Sequence, residues 1–473
     1  MQKLRMRLRT RTGWRWLTMA AALVAAPIAA QAPRAVDLIV ANGIVVTMDG
    51  PRRVITPGSV AIAGPAIVAV DAADRIARDF KAAQVIDAAG RVVMPGLINT
   101  HTHAPMVLYR GLGDDLALMD WLQKYIFPAE AKTVSPAFVR TGTRLAALEM
   151  IRSGTTTFTD MYYFEEEIAR ATREAGLRGV LGQSVIEFPV PDAKTPADAL
   201  ARAEKFILEF QKDPLIVPAV APHAVYTLDA PTLKRARDLA AKYAVPLLIH
   251  LNETEAETGL SMERHKARPV AALDALGFWG PRIVAAHGVW LQPDEIQVLK
   301  NHGVGVSHNP ESNMKLASGT APVPEMIKAG LAVGLGTDGA ASNNDLDMFE
   351  AMRQAAFLHK LTSKDPRAIG AGVALEMATL GGARVIGREK QLGSLEAGKL
   401  ADLIVVRMDR PRQTPMYDPI SHLVYVTRGD DVETTIVNGK VLMRDGNVLT
   451  LNEADVLNAA RQAAGQVRAA VQQ

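Results

Sequence analysis

Apolar, β-branched runs recur through the middle of the chain, separated by stretches in which apolar positions return every three or four residues, as in PTLKRARDLAAK at residues 231–242. The first pattern predicts buried strands and the second predicts amphipathic helices. Eight such strands alternating with helices over about 250 residues match the size of a (β/α)8 TIM-type barrel. A doubly wound sheet would also alternate, but polar residues at the ends of nearly all these runs favour the barrel. The predicted strands are Val92–His103, Gly154–Tyr163, Arg178–Ile186, Leu215–Thr227, Pro246–Thr254, Ile283–Trp290, Gly303–Pro310 and Leu331–Ala340.

The segments on either side of this region have a different sequence pattern. Residues 36–90 and 392–450 hold short strand-like pieces, and Asn438-Gly439 and Asp445-Gly446 are hairpin-type turn signals. We therefore predict an α/β protein in which both chain ends build one small β-sandwich domain beside the barrel. The expected boundaries are 1–32 for a signal peptide, 33–92 and 390–452 for the β-domain, 93–389 for the barrel and 453–473 for a helical tail rich in Ala, Gln and Arg.

Residues 1–32 are typical of a secretory signal peptide. A basic stretch is followed by the apolar run Leu17–Ala26 and by small residues that offer a cleavage site at Ala30-Gln31-Ala32. The apolar run is too short for a comfortable membrane span. An uncleaved anchor and a misassigned start codon are the alternatives. We expect a periplasmic or secreted bacterial protein with no stable membrane span after cleavage.

Composition narrows the classes of partner. Hydrophobic residues make up 48% and charged residues 22% of the chain, as in ordinary globular proteins. The net charge of +3 includes six basic residues and no acid among the first sixteen, so the remainder carries −3 and no nucleic acid is expected as a partner. The sequence contains no cysteine, which excludes disulfides and thiolate metal sites. A monomer and a homo-oligomer both stay open.

Histidines and acidic residues stand where the predicted strands end. His101 and His103, in GLINTHTHAP, are two positions apart, so a strand would turn both imidazoles to one side. The carboxyl ends of barrel strands form the active-site face of this fold. The other polar residues at these ends are His223, His250, Glu253, His287 and Asp338.

Packing alone does not readily explain this set of residues. The set indicates a metal centre in which His101 and His103 are two of the ligands. Neutral imidazoles with a carboxylate around an open position suit Zn²⁺, with Fe²⁺, Mn²⁺ or Ni²⁺ as alternatives. We expect one divalent ion per chain. The remaining histidines, outside the strand-end set, are interpreted as structural or solvated: His265, His302, His308, His359 and His422.

The motifs PGLINTHTHAPMVLYRGLGDDLALMDWL, FPAE, PHAVYT, HLNET, SHNPESNMKLASGTAPV and GTDGAASNNDLDMFEAMR together resemble the amidohydrolase superfamily. Within it the chain is similar to the 5-methylthioadenosine/S-adenosylhomocysteine deaminases and to their chlorotriazine-hydrolase relatives, from residue 36 to about residue 450. The fourth predicted strand contains no lysine, which departs from the two-metal branches and implies one metal. The resemblance implies that one metal ion is bound by His101, His103, His250 and Asp338. It implies proton transfer for Asp338, and proton transfer and orientation for Glu253 and His287. It further implies substrate contact for His223 and ribose binding for Glu130.

The implied reaction is deamination of an adenosine-type nucleoside (5-methylthioadenosine, S-adenosylhomocysteine or adenosine) to the inosine analogue and ammonia. Relatives that accept S-adenosylhomocysteine present an arginine to its carboxylate from the third strand. In this chain Gln183 is expected near that position and would then contact the substrate. Arg178 could substitute, although a structural role at the strand start is the preferred interpretation. Without a guanidinium fork a neutral 5′ group is the expected ligand. A hydrolase of triazines or other heterocycles and a non-catalytic metal-binding protein are the alternatives.

Overall fold

The computed structural model describes residues 32–471. Nearly all of the expected signal peptide therefore lies outside the described residues. Within them no helix is both long and apolar enough to cross a bilayer. Five strands come before the barrel: β1 (Arg34–Val46), β2 (Val54–Ala63), β3 (Ala66–Ala72), β4 (Phe80–Asp87) and β5 (Val92–Pro95).

Eight parallel strands follow one another in chain order around a barrel, as the alternating pattern predicts. The hydroxyl of Thr100 on the first strand donates to the carbonyl of Leu335 on the last at 2.9 Å, which brings the two edges together. The (β/α)8 barrel is thus confirmed. Its strands are β6 (Leu97–Thr102), β7 (Thr155–Tyr162), β8 (Arg178–Val185), β9 (Ile216–Pro222), β10 (Leu247–Leu251), β11 (Ile283–His287), β12 (Gly305–His308) and β13 (Ala332–Leu335).

The run Val92–His103, expected as one strand, is divided in two at Gly96. β5 pairs with the small sheet, whereas β6 pairs with β7 of the barrel. A Cβ atom at Gly96 would collide with the side chain of Thr156, so the crossing point needs glycine. Residues 93–95, assigned to the barrel from the sequence, therefore belong to the small sheet.

The small domain is one mixed sheet of nine strands drawn from both chain ends. Its order is β17-β16-β15-β14-β5-β1-β2-β3, and β4 also pairs with β1. Side chains from both flanks, among them Val40, Val60, Leu403 and Ile436, are fully buried in one core. The domain expected as a sandwich is therefore a continuous hydrogen-bonded sheet around a shared core. The strands after the barrel are β14 (Leu403–Val406), β15 (Val432–Val437), β16 (Lys440–Arg444) and β17 (Asn447–Val448).

Helices separate most of the barrel strands. The amphipathic stretch at 231–242 lies in the helix Ala230–Tyr243, where Asp229 caps the first turn by accepting from Thr232 N at 2.9 Å and where Leu233, Ala236 and Ala240 are buried. The helices are α1 (Ala73–Asp79), α2 (Leu118–Trp121), α3 (Phe127–Thr133), α4 (Pro136–Arg152), α5 (Glu165–Ala175), α6 (Pro196–Phe210), α7 (Ala230–Tyr243), α8 (Glu255–His265), α9 (Pro269–Ala275), α10 (Pro293–Asn301), α11 (Pro310–Lys315), α12 (Val323–Ala329), α13 (Met348–Ser363), α14 (Ala371–Glu376), α15 (Gly382–Val385), α16 (Pro419–Tyr425) and α17 (Glu453–Val471).

Candidate active site

One cavity opens at the carboxyl ends of the barrel strands, and most of the residues expected at the site line it. They are His103, Glu130, His223, His250, Glu253, His287 and Asp338. His101 lies just beneath, only 3% exposed. The histidines outside the strand-end set, His265, His302, His308, His359 and His422, do not line this cavity.

Four potential metal ligands converge below the cavity. The Nε2 atoms of His101 and His103 lie 3.3 and 3.4 Å from Oδ1 of Asp338. Nε2 of His250 lies 3.3 Å from Nε2 of His103. Nε2 of His101 is buried and has no hydrogen-bond partner. A buried ring nitrogen without a partner, facing other donor atoms, fits a divalent cation and is otherwise costly.

Backbone carbonyl groups fix the orientation of two of these imidazoles. Nδ1–H of His103 donates to the carbonyl of Met161 at 2.7 Å, and Nδ1–H of His250 donates to the carbonyl of His223 at 2.9 Å. Each bond leaves the Nε2 lone pair directed at the shared centre, as in metal-ligating histidines generally. Burial lowers the pKa of His101 to about 4 and holds the pKa of His250 well below its ordinary value, so both are neutral donors.

Asp338 is held in place by donors from α11 and from the loop that follows β13. Its Oδ2 accepts from the hydroxyls of Ser312 and Ser342 at 2.7 and 3.0 Å, and its Oδ1 accepts from Gly339 N at 2.7 Å. Burial would raise its pKa, but the nearby imidazoles, that of His101 first, hold the pKa of Asp338 well below its usual range. Its backbone has φ +65°, a strained conformation for a non-glycine residue at a functional site. Asp338 is therefore an ionised, rigidly aimed carboxylate.

Glu253 and His287 stand next to each other beside this cluster. Oε2 of Glu253 lies 3.8 Å from Nε2 of His287. Nδ1–H of His287 donates to Oδ1 of Asn313 at 3.0 Å, and the His287 backbone has φ +77°. Burial raises the pKa of Glu253, which favours its protonated form more than in water.

His223 and Glu130 occupy two other sides of the cavity. The ring of His223 packs 4.8 Å from that of His250, and burial lowers the pKa of His223 to about 3. Oε1 of Glu130 accepts from the hydroxyl of Tyr162 at 2.6 Å. Burial raises the pKa of Glu130 to about 7. A buried carboxyl group that faces a cavity is a candidate to bind hydroxyl groups of a ligand.

The expectation that Gln183 touches the substrate is wrong. Its side chain is fully buried, and its amide donates to Asp192 at 2.9 Å and to the carbonyl of Ser184 at 3.2 Å. Ser184, one position later, lines the cavity instead. Adjacent side chains on a strand point to opposite faces, so an alignment one residue out reverses the direction.

Arg178 has the structural role preferred from the sequence. It begins β8, at the opposite end of the strand from the cavity, and is 1% exposed. Its guanidinium donates to both carboxylate oxygens of Asp402 at 2.9 and 3.2 Å. Arg178 is thus committed to the contact between the barrel and the small domain.

Sequence reasoning assigned no role to several side chains that orient the site. Ser312 and Asn313 lie within the quoted motif SHNPESNMKLASG, and Ser342 lies within GTDGAASNN. Asp160, on β7, accepts from the hydroxyl of Thr102 at 2.7 Å and so fixes the turn around His103. The available signal was that each lies near the carboxyl end of a barrel strand or in the segment that follows one.

A metal centre of imidazoles and one carboxylate at the mouth of a barrel defines a class of hydrolytic enzymes. The amidohydrolase family model matches residues 92–442, and the chain belongs to this family. Across 91% of its length it is 49% identical to the 5-methylthioadenosine/S-adenosylhomocysteine deaminase of Syntrophobacter fumaroxidans, covering 98% of that protein. It is 46% identical to the 5′-deoxyadenosine deaminase of Methanosarcina mazei, over 92% of this chain and 99% of the relative.

A solved structure is also close in fold. The crystal structure of an adenosine deaminase from Xanthomonas campestris with bound zinc superposes with a TM-score of 0.91. It is 38% identical and covers 92% of this chain and 100% of its own.

Proposed function

We propose that this amidohydrolase deaminates an adenosine-type nucleoside to the inosine analogue and ammonia. The observation that carries the proposal is that Glu253 and the Asp338 cluster share one cavity with Glu130, a carboxyl group placed to bind a sugar. This arrangement offers an acid, a base and a hydroxyl-binding group to one ligand. The names of the relatives support the same reaction.

The four converging residues would hold one divalent ion, and we propose zinc. The imidazole and carboxylate donors suit it, and the structural relative has bound zinc. Such an ion activates water by lowering its pKa towards neutrality. The ligands would be His101, His103 and His250, whose ring nitrogens lie within 4.8 Å of one another, together with Asp338, whose Oδ1 lies 3.3 Å from Nε2 of His101.

The chain's own groups can move the protons that the reaction requires. Water adds to the ring carbon that bears the amino group, and Asp338, kept ionised, accepts the proton that the water loses. Glu253, whose pKa is raised by burial, donates a proton to the neighbouring ring nitrogen. His287, oriented by Asn313, stabilises the developing tetrahedral centre. The proton held by Asp338 then passes to the amino group, the added hydroxyl returns a proton to Glu253 as it becomes the carbonyl, and the carbon–nitrogen bond breaks to release ammonia.

The cavity walls favour a substrate with a neutral 5′ group. No lysine or arginine lines this cavity in the described part of the chain. Apolar and aromatic side chains line it instead, and Phe127 packs against the partly exposed Phe188 with ring centroids 5.4 Å apart. We therefore infer that 5-methylthioadenosine, adenosine or 5′-deoxyadenosine is preferred to S-adenosylhomocysteine, whose carboxylate would meet no cationic partner here.

The same apolar walls favour a second candidate, a hydrolase of triazines or of another heterocycle. Glu130 distinguishes the two, because a carboxyl group in the cavity suits the hydroxyl groups of a ribose, which a triazine lacks. The test is ammonia or chloride release from the four nucleosides, guanine and a chlorotriazine, with elemental analysis of the same preparation. Nucleoside deamination with about one zinc per chain is the expected result. Turnover confined to the triazine or guanine would overturn the proposal.

We propose further that the protein is exported by residues 1–32. The basic stretch, apolar run and small-residue site support this assignment. Expression of the full chain in a Gram-negative host, followed by fractionation and N-terminal sequencing, tests it. A mature protein that begins near residue 33 in the periplasm is expected, and an intact N-terminus in the cytoplasm would contradict it.

A further inference from the structure

One wall of the cavity is a single stretch of chain, residues 110–130, here called the wall segment. It contains α2, a π-helical turn at Leu122–Ile126 and the start of α3. Gly111 and Gly113, near its beginning, both have φ +76°, so this end is irregular. The side chains that the wall segment contributes to the cavity are Leu118, Trp121, Leu122, Ile126, Phe127 and Glu130.

The wall segment has a polar attachment at each end. At the far end, Glu130 accepts from Tyr162 at 2.6 Å. At the near end, Oδ1 of Asp114 lies 2.6 Å from Nζ of Lys315. The same ammonium donates to Oδ1 of Asn344 at 2.8 Å. Lys315 therefore joins the wall segment to the loop that follows β13.

Lys315 also ends the helix that orients the reacting groups. In α11, Ser312 donates to Asp338 and Asn313 accepts from His287. Three residues of one short helix thus contact the carboxylate, the imidazole and the wall segment. A shift of the wall segment at Asp114 would change the shape of the cavity without removing any of these catalytic contacts.

We propose that Lys315 is a positioning residue that fastens the wall segment over bound substrate. The proposal goes beyond the proposed function and uses deamination only as one of its two assays. Its side chain is 20% exposed and that of Asp114 is 39% exposed, so the pair is screened less than an open surface pair. Because this ion pair is partly exposed, it contributes less than a buried charge-assisted hydrogen bond would, up to roughly a tenfold change in an equilibrium constant. The effect should fall on substrate affinity, because Lys315 touches none of the reacting groups.

The kinetic test compares Lys315→Met, Asp114→Asn and the double variant. We expect KM to rise about five- to tenfold in each single variant, with kcat within about twofold, and the double variant to be no worse than the worse single one. Lys315→Arg, which keeps the charge, should recover most of the loss. The matched control is Lys234→Met, which removes a pair with Asp238 at 3.0 Å on the exposed face of α7 and should change neither constant.

Limited trypsin digestion supplies a readout that needs no turnover. Lys124 lies in the wall segment with its side chain 63% exposed. Cleavage after Lys124 should be several-fold faster in Lys315→Met and Asp114→Asn than in the parent protein or in Lys234→Met. Unchanged cleavage would overturn the proposal, even if the chain proves not to be a deaminase. So would a fall in kcat with KM unchanged, or equal effects in Lys315→Met and Lys234→Met.

Discussion

The barrel carries buried charged residues at both ends, and the two groups are built in opposite ways. At the start of β8, Arg178 meets Asp402, and both carboxylate oxygens accept from the guanidinium. At the carboxyl ends of the strands, Oδ1 of Asp338 lies 3.3 and 3.4 Å from the imidazoles of His101 and His103, and Nε2 of His101 lacks any hydrogen-bond partner.

The difference in hydrogen bonding distinguishes buried charges that stabilise the fold from buried charges that can act on a ligand. A buried ion pair whose polar atoms are already hydrogen-bonded within the protein stabilises the contact between two domains and offers no free donor or acceptor to a ligand. A buried cluster with an unpartnered donor and two strained backbones, at His287 and Asp338, retains that capacity. Buried polar groups at the two ends of the barrel therefore have different roles.

Asp338→Asn is the change with the largest expected effect, and it alters the cluster at the carboxyl ends of the strands. It removes a proposed metal ligand and the proposed proton acceptor together, so we expect turnover to fall by at least about 10⁴-fold. Elemental analysis should find well under one ion per chain. Asp365→Asn, which alters an exposed pair with Arg367, is the control. Full activity in Asp338→Asn would place the chemistry elsewhere.

Arg178→Met tests the buried ion pair between Arg178 and Asp402. It leaves Asp402 buried without its partner, so the free energy of unfolding should fall by about 3–5 kcal/mol. Metal content and kcat of the protein that remains folded should match those of the parent. Adding Asp402→Leu should restore part of the stability. Loss of metal in Arg178→Met without loss of stability would contradict the division between the two ends.

Substrate charge gives the next largest effect. We expect kcat/KM for 5-methylthioadenosine to exceed that for S-adenosylhomocysteine by about ten- to a hundredfold, the value of a missing charge-assisted bond. The comparison uses one enzyme preparation and initial rates of ammonia release. Equal or reversed preference would mean that a cationic group reaches the ligand from outside the described cavity lining.

Glu130→Gln should give the smallest effect, visible in its pH dependence. Burial raises the pKa of Glu130 to about 7, above its ordinary 4.5, so this group contributes stability below pH 4.5 that is lost as the pH rises through 7. Gln keeps the acceptor for Tyr162 but does not titrate. The Tm of the variant relative to the parent should therefore rise by roughly one to a few degrees between pH 5 and pH 8. A difference that is flat with pH would show that Glu130 is not buried in solution.

Most of the fold and the metal cluster followed from the sequence because both depend on local periodicity. Strand runs with polar ends place His101, His103, His250 and Asp338 at one mouth once the barrel is assumed. Gln183 could not be placed in this way, since a strand of eight buried residues shows no alternation from which to choose a face.

Two other features escaped the sequence for related reasons. The break at Gly96 depends on Thr156, a contact between distant parts of the chain. The bond from Ser312 to Asp338 joins α11 to the loop after β13, and its geometry is not encoded in either segment alone.

The measurement that tests the account most directly is the kinetics of Glu253→Gln. Glu253 lies 3.8 Å from His287, and it is assigned proton transfer rather than metal binding. Gln is nearly isosteric, so metal content and Tm should equal those of the parent, while kcat/KM for 5-methylthioadenosine falls by about 10²–10⁴-fold or more. Full metal with activity within a few-fold of the parent would remove Glu253 from the mechanism and contradict the proposed deamination.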